Sequence, residues 1–179
     1  MAKNSTLREF QQAILLKLKE AAEQGGAVAT SRLGVTVGSK NLLIDLKDVI
    51  EVLPVPPLQS VPLTQPWFLG VANVRGNLYN ITDLAQFSGM PPTPKSIHNR
   101  ILLLRSEVTI QAALVVGAIV GLRNTESMQL NPLINESEAT GREALLSKRI
   151  YQDVDHQVWY ELDIEALVQN KEFIQPSTI

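Results

Sequence analysis

Two short stretches contain residues that could bind phosphate or a metal ion, and neither has the spacing that this chemistry requires. GVTVGSK, residues 34–40, places three residues rather than four between its glycines and ends in Gly-Ser-Lys. No helical pattern follows it, so the helix N-terminus that holds phosphate in such loops is missing. Asp153-Val-Asp155-His156 offers metal-ligand residue types, but it lies between two strand patterns, where Asp and His are ordinary turn residues. We therefore expect a hairpin turn at each position.

The acidic residues after residue 44 are the candidates for acid–base chemistry. Asp45, Asp48 and Glu51 recur every three residues, as on the solvated face of a helix, and the fold could bring Asp83 near them. Two carboxylates in contact can act as general acid and base. His98 has no partner at sequence level, and the serine-nucleophile, zinc-protease and dinucleotide motifs are all absent. The sequence indicates no catalytic residue, cofactor or metal, and a small-molecule-binding β-barrel or a small enzyme using the carboxylates is the alternative to a binding protein.

One charged residue stands out because it interrupts an apolar run, PWFLGVANVRGNLYNITDL, residues 66–84. A two-residue loop with glycine first, Gly76-Asn77, predicts a type II′ hairpin with Arg75 opposite Leu78. The alternation then gives a core face, Ala72, Val74, Tyr79 and Ile81, and an outward face, Asn73, Arg75, Leu78 and Asn80. An Arg buried without a partner would cost several kcal/mol, so Arg75 must reach water or a carboxylate. It is either a surface ion pair, which contributes ~0–1 kcal/mol, or an interface anchor.

The elements around this hairpin are mostly short strands. In the first half of the chain we predict a helix over 6–24, a hairpin of 33–37 with 42–44, a short helix capped by Asp45, and a proline-rich extended connector over 52–66. In the second half we predict strands at 101–106, 109–116 and 118–122, an irregular segment over 131–147, a closing hairpin of 149–154 with 157–162, and a helix over 164–173 capped by Asp163. Strands at this spacing favour barrels or sandwiches. The chain is too long for one small barrel, so we expect two barrels of about five strands.

Composition excludes several classes of function. The chain has 179 residues, 45% of them hydrophobic, and a net charge of −2 without a basic cluster, so there is no electrostatic footprint for nucleic acid. It has no cysteine, which excludes disulfides, thiolate catalysis and zinc–thiolate sites. The N-terminus lacks a secretory signal, and the longest apolar run, residues 112–122, is shorter than the ~20 residues that span a bilayer. We expect a soluble, cytoplasmic protein that does not insert into the membrane.

Residues 66–84 resemble the signature of the CheW-like domain family. The matching positions are Gly70, Val71, Asn73, Arg75, Gly76, Ile81, Asp83 and Leu84. Upstream, VTVGSKNLLIDLKDVIEVLPVP is similar to the family's first hairpin and the element after it, with Ile44, Asp45, Val49 and Glu51 in place, and WYELDIEALVQN resembles the closing strand and helix. The resemblance covers about residues 33 to 170. One departure is Gly117, which stands where the family usually has Asp. Within the family, the chain is most similar to the PilI-type adaptors of type IV pilus chemosensory systems.

The resemblance implies a mainly β fold of two interlocked five-stranded SH3-like barrels over residues 30–179, with a short internal helix and a C-terminal helix. Residues 1–26 would form an N-terminal helical extension. It further implies a non-catalytic scaffold without a cofactor, which links the cytoplasmic tip of a methyl-accepting chemoreceptor to the regulatory domain of a CheA-type histidine kinase, near the membrane in receptor arrays that control twitching motility. In the family, the residues matching Glu51 and Arg75 are associated with each other and with partner binding. We predict a partner-binding site made of Arg75, Glu51, Asn73, Leu78 and Asn80.

Overall fold

The computed structural model describes Leu16, Glu20 and residues 30–105, 111–131, 141–146 and 148–179. The strands in this part of the chain are β1 Ser31–Val37, β2 Lys40–Asp45, β3 Val49–Pro54, β4 Phe68–Val74, β5 Asn77–Asp83, β6 Arg100–Leu104, β7 Ala112–Val116, β8 Ala118–Asn124, β9 Gln129–Leu130, β10 Arg149–Gln152 and β11 Val158–Glu161. The α-helices are α1 Leu84–Phe87, α2 Ile164–Gln169 and α3 Lys171–Ile174, and 3-10 turns occupy Leu46–Asp48, Thr125–Ser127 and Gly141–Leu146.

The strands form two interlocked sheets. The first sheet has the order β8-β1-β2-β11-β10-β9 and the second has the order β3-β6-β7-β5-β4. The chain leaves the first sheet after β2, builds the whole second sheet, and returns through Gly117 between β7 and β8. Pairing is antiparallel except for β2 with β11 and β5 with β7. The mainly β, two-barrel prediction is confirmed, and the first sheet gains a sixth strand because the two-residue β9 pairs with β10.

The central strands of the second sheet, β6 and β7, are buried on both faces. In β6, Ile101 and Leu103 belong to a cluster enclosed by this sheet, whereas Leu102 and Leu104 belong to the large cluster shared with the first sheet. Every residue of β6 and of β7 is buried. A strand covered on both faces has no need for alternating polar residues, which explains why these segments read as continuous apolar runs.

The short helix predicted after Asp45 is wrong. The Asp45 carboxylate does accept a hydrogen bond from the Lys47 backbone N–H, at 3.0 Å, but the helix is only the 3-10 turn Leu46–Asp48. The chain then becomes β3, whose Val49 pairs with Leu104 of β6. β-Branched residues favour strands, and β3 pairs with β6 along its length apart from a bulge at Ile50, so tertiary pairing overrides the helical spacing of the apolar residues.

The predicted C-terminal helix can be compared with the structure, whereas most of the predicted N-terminal helix cannot. The helix predicted over 6–24 lies outside the described residues except for Leu16 and Glu20, which are helical and exposed. Asp163 caps α2 through the Ala166 N–H, at 3.0 Å, as predicted. The predicted single helix is divided at Asn170, which is extended and caps α3 through the Phe173 N–H. No helix among the described residues is long and apolar enough to cross a lipid bilayer.

Candidate functional site

The hairpin that carries Arg75 turns one residue earlier than predicted. Val74 pairs with Asn77, so the two loop residues are Arg75 and Gly76, both with positive φ, 52° and 86°. Positive φ at both positions defines a type I′ rather than a type II′ turn. The Asn73 carboxamide oxygen accepts the Gly76 N–H at 2.9 Å and fixes this turn. The register predicted for the hairpin is therefore wrong, with Asn73 rather than Arg75 opposite Leu78.

The two faces of the hairpin are nevertheless as predicted. The observed pairing of β4 with β5 is shifted from the predicted pairing by two residues of β5; Ala72, for example, lies opposite Tyr79 rather than Ile81. Because side chains alternate between the two faces of a strand, a shift of two residues keeps each side chain on its predicted face. The predicted core face is buried, and its residues are Ala72, Val74, Tyr79 and Ile81. The outward face carries both polar and apolar side chains; Leu78 is 60% exposed, and Asn80 is half-buried.

Arg75 forms an ion pair with Glu51 inside this chain. Its Nη2 lies 2.6 Å from Glu51 Oε1, with side-chain exposures of 65% for Arg75 and 15% for Glu51. Glu51 belongs to β3 and Arg75 follows β4, and these strands are the two opposite edges of the second sheet. Contact between opposite edges requires the sheet to curl on itself, so the pair lies at the seam of a barrel. A guanidinium has five N–H donors in a planar fork, and this one is still largely open to solvent.

A groove lies between the outward face of the β4–β5 hairpin, the proline-rich connector and residues 175–179. Its volume is about 580 Å³, and it is lined by Val61, Thr64, Phe68, Val71, Asn80, Gln175, Pro176, Ser177 and Ile179. Gln59 forms a two-bond bridge with Val71 on the edge strand β4, so the proline-rich connector covers part of that edge. Gly70 permits this approach, because a Cβ there would lie 2.2 Å from the Gln59 carbonyl oxygen. The structure thus brings Asn73, Leu78 and Asn80 to one face and places Arg75 and Glu51 at its end.

The candidate carboxylates do not form an acid–base pair. Glu51 binds Arg75, whereas Asp83 is 2% exposed and accepts from the backbone N–H and hydroxyl of Thr93, at 2.8 and 2.7 Å. Asp45 caps the 3-10 turn. Burial, and then the neighbouring charge of Asp45, raises the pKa of Asp48. Glu51, Asp83 and Asp45 therefore each have a structural partner, and Asp83 is better explained as a helix cap than as a base.

The two candidate ligand stretches are hairpin turns. GVTVGSK contains the end of β1, the turn at Gly38-Ser39 and the start of β2. Asp153 lies in the turn between β10 and β11, where its carboxylate accepts the indole N–H of Trp159 at 2.8 Å and the Gln157 N–H at 2.9 Å. The hydrogen bond from Trp159 is the main reason why the pKa of Asp153 is lowered. Within the described ranges no cluster of His, Asp and Glu has the arrangement of a metal site.

Sequence reasoning missed a buried charge cluster inside the first sheet. Arg32 Nε lies 2.8 Å from Glu161 Oε1 and Arg32 Nη1 lies 3.8 Å from Asp45 Oδ2, with Arg32 and Glu161 both almost fully buried. Glu161 Oε2 has no hydrogen-bond partner within the part of the chain that the structure describes. The two residues are 129 positions apart, so no local pattern could have paired them. The weak signal that existed was an Arg directly before the alternating apolar residues of β1.

The protein is a double β-barrel domain: the strands of the second sheet lie in sequence between β2 and β8 of the first sheet, and the two curled sheets share one core. The model of the CheW-like domain family matches residues 32–172, and the chain belongs to this family. It is 31% identical to Protein PilI of Pseudomonas aeruginosa over 159 residues, which are 86% of this chain and 83% of that protein. It is also similar to the crystal structure of the scaffolding protein TtCheW from Thermoanaerobacter tengcongensis, with a TM-score of 0.63 over 75% of this chain and 89% of that one. At 20% identity, that structural likeness concerns the fold.

Proposed function

We propose that this protein is a non-catalytic scaffold that couples the cytoplasmic tip of a chemoreceptor to the regulatory domain of a CheA-type histidine kinase, in a chemosensory system that controls type IV pili. The observation that carries the proposal is the family match over residues 32–172. The identity with a PilI protein over most of both chains supports the pilus system in particular. Such a scaffold works in the cytoplasm, close to the membrane that holds the receptors.

The partner-binding site that we propose is the β4–β5 hairpin with its ion pair. Arg75 presents a largely exposed guanidinium at the tip, and Leu78 beside it is a large apolar side chain that is 60% exposed. Interface anchors combine these two properties, because Arg binds carboxylates through two parallel hydrogen bonds and the apolar neighbour excludes water. Asn73 holds the turn, and Asn80 extends the face towards the groove.

A scaffold transmits a signal only if it binds the active and inactive arrangements of its partners unequally, because a ligand shifts an equilibrium by its differential affinity. The seam between β3 and β4 is suited to this role. A partner carboxylate that contacts Arg75 competes with Glu51, so binding at the hairpin tip alters the contact that joins the two sheet edges.

The test is a titration calorimetry experiment with the regulatory domain of the cognate CheA-type kinase and with a receptor-tip peptide. We expect the wild type to bind the kinase domain at tens of micromolar or tighter, and Arg75→Glu to abolish binding to the kinase, the receptor or both. The matched control is Lys95→Glu, a charge reversal of an exposed cation in the loop before β6, and it should bind normally. Absence of wild-type binding at modest salt would refute the proposed function.

A charge exchange separates the two roles of Arg75. In the double variant Arg75→Glu with Glu51→Arg, the ion pair inside the chain can form again with its two charges exchanged. A partner carboxylate at the hairpin tip would then face a glutamate and be repelled. We expect this double variant to keep the circular dichroism and melting temperature of the wild type while binding remains lost. Recovery of binding would instead assign Arg75 to the barrel seam alone.

A further inference from the structure

Arg100, at the start of β6, is a buried cation without a counter-charge. It is 8% exposed, and it forms no ion pair with any residue in the described ranges. Arg32 is just as buried, but it meets the carboxylates of Glu161 and Asp45. Burying a charge without a partner of opposite sign is strongly unfavourable. The two buried arginines therefore differ, because only Arg32 is neutralised within the part of the chain that the structure describes.

The guanidinium of Arg100 uses only one of its three nitrogens. Its Nη1 donates to the backbone carbonyls of Ile97 and Asn99, both at 2.8 Å. Neither Nε nor Nη2 has an acceptor among the described residues, and Nε is shielded from solvent. The Nε–H and one Nη2–H of a guanidinium point in the same direction, and this edge binds two oxygens of a carboxylate or a phosphate side by side. The unused edge of Arg100 is thus the edge with the geometry for an oxyanion.

The chain around Arg100 is poor in acidic residues. Between residues 52 and 106 the only acidic residue is Asp83. The Asp83 carboxylate is already occupied, because it caps α1 and accepts both bonds from Thr93. Lys95, five positions before Arg100, adds a second positive charge in the exposed loop. This part of the second barrel therefore attracts anions.

The position of Arg100 is separate from the proposed partner-binding hairpin. Arg100 pairs with Pro54 of β3, near the end of that strand. Leu103, three positions later, pairs with Glu51, which binds Arg75. At ~3.3 Å per residue, the two positions are about 10 Å apart along β6. Arg100 thus faces the loop before β6, whereas Arg75 lies towards the other end of the sheet.

The loop 94–99 folds back on itself directly before Arg100. The Asn99 side-chain amide donates to the Pro94 carbonyl at 2.8 Å, and the Asn99 N–H donates to the Ser96 carbonyl at 3.2 Å. These bonds and the two from Arg100 Nη1 hold the loop as a compact turn with Lys95 exposed on it. The loop therefore provides a rim with one positive charge, and Arg100 provides the second charge at its base.

We propose that Arg100 is the base of an oxyanion-binding site, in which its Nε–H and Nη2–H bind two oxygens of a phosphate or carboxylate ion. The occupant is a small free ion rather than the surface of a protein, because the guanidinium is buried behind the loop and only 8% of the residue is exposed. Since Nε is shielded from solvent, the ion reaches it when the loop 94–99 shifts. The backbone of the loop should therefore report binding together with Arg100 itself.

The test is an NMR titration of the full ¹⁵N-labelled chain with inorganic phosphate and, separately, with acetate, at constant ionic strength. We expect the Arg100 Nε–H signal and the amide signals of residues 95–99 to shift and to saturate with a dissociation constant of about 1 mM, which two charge-assisted hydrogen bonds support. Saturation by phosphate or by acetate identifies which oxyanion the site takes. Chloride, a single atom, should give no saturating shift. The internal control is Arg105, whose Nε–H already donates to the Lys47 carbonyl at 3.0 Å and should not move.

Substitutions separate the fork from its charge. Arg100→Lys keeps the positive charge but not the planar fork, so the oxyanion should bind at least about tenfold more weakly, as read from the loop amides. Lys95→Ala, at an exposed position that leaves the fold intact, should weaken binding about two- to fivefold. The matched control is Lys171→Ala, which removes an exposed cation from α3 and should change nothing.

The wild-type titration decides the proposal even if Arg100→Lys does not fold. An Arg100 Nε–H signal that neither oxyanion moves, as a bound water molecule would leave it, would overturn the proposal. So would a shift that grows without saturation, or an Arg105 signal that moves equally. A signal that moves with the kinase regulatory domain but with neither phosphate nor acetate would show instead that Arg100 belongs to a protein interface.

Discussion

Replacing Arg32 by methionine tests whether the charge cluster inside the first barrel stabilises the fold. Methionine has a similar volume to the aliphatic part of arginine but no charge, so the change leaves Glu161 buried without the guanidinium 2.8 Å away. Removing one partner of a buried ion pair costs about 3–5 kcal/mol. Glu161 is 5% exposed, and its Oε2 already lacks a hydrogen-bond partner among the described residues, so the upper part of this range applies.

The reverse substitution should cost less, and this asymmetry is the sharper test. In Glu161→Leu, Arg32 keeps a second carboxylate, because Asp45 lies 3.8 Å from its Nη1. We therefore expect about 2–3 kcal/mol for Glu161→Leu, and a double variant that is more stable than Arg32→Met alone, since two apolar groups can replace a buried pair at little cost. For a domain of this size, 4 kcal/mol corresponds to a fall in melting temperature of about 8–16 °C.

Urea unfolding followed by tryptophan fluorescence measures these differences, because Trp159 lies in the same barrel as the pair. The free energy of unfolding is compared for the wild type, the two single variants and the double variant. Equal costs for the two single variants would contradict the asymmetry. Costs that simply add in the double variant would show that Arg32 and Glu161 are not energetically coupled.

Three further substitutions follow from other contacts. Asp83→Ala should lower the free energy of unfolding by about 2–4 kcal/mol in urea titrations, because it removes the cap of α1 and both bonds from Thr93. Gly117→Asp should cost about 1–3 kcal/mol in the same assay, because its Cβ would lie 2.8 Å from Thr36 Oγ1, and Thr36→Ala in the same chain should recover part of the loss. Asp153→Asn should make the protein lose less stability in acid. The pKa of Asp153 is lower in the folded state than its unfolded value near 3.8, so its carboxylate stabilises the fold above that value, and this stabilisation is lost as the pH falls through the folded pKa. Thermal melts of both proteins from pH 6 to pH 2 measure the difference.

The parts of the fold that the sequence predicts are those fixed by neighbouring residues. The apolar runs of β6 and β7, the β1–β2 hairpin and the Asp163 cap all depend on contacts within a few positions, and all are present. Where local patterns conflict with a distant partner, the partner decides. Val49 has helical spacing to its apolar neighbours, yet it becomes a strand residue because β6, some fifty residues later, offers a ladder.

The candidate site divides in the same way. The two faces of the hairpin follow from the alternation of apolar and polar residues alone. The position of the turn does not: Gly76-Asn77 favours a turn with glycine first, but the hydrogen bond from the Gly76 N–H to the Asn73 side chain fixes the turn at Arg75-Gly76. The contact between Arg75 and Glu51 is expected from the family resemblance, because the two residues are 24 positions apart and no local pattern could pair them. For the Arg32–Glu161 pair, the sequence offers only the position of Arg32 before the alternating apolar residues of β1, and nothing that points to Glu161.

The position of the Arg75–Glu51 pair has a consequence for how binding could be transmitted. Because Arg75 is 65% exposed, a partner carboxylate can reach its guanidinium from the solvent side and compete with Glu51 for it. Once displaced, Glu51 is left 15% exposed on the edge strand β3, opposite an edge strand that it no longer contacts through Arg75. The seam between β3 and β4 then loses the ion pair that joins the two edges, while the packing of the enclosed cluster remains. A pair with one member open to solvent at a sheet seam is therefore better suited to respond to a partner than a fully buried one such as Arg32–Glu161, which a partner cannot reach.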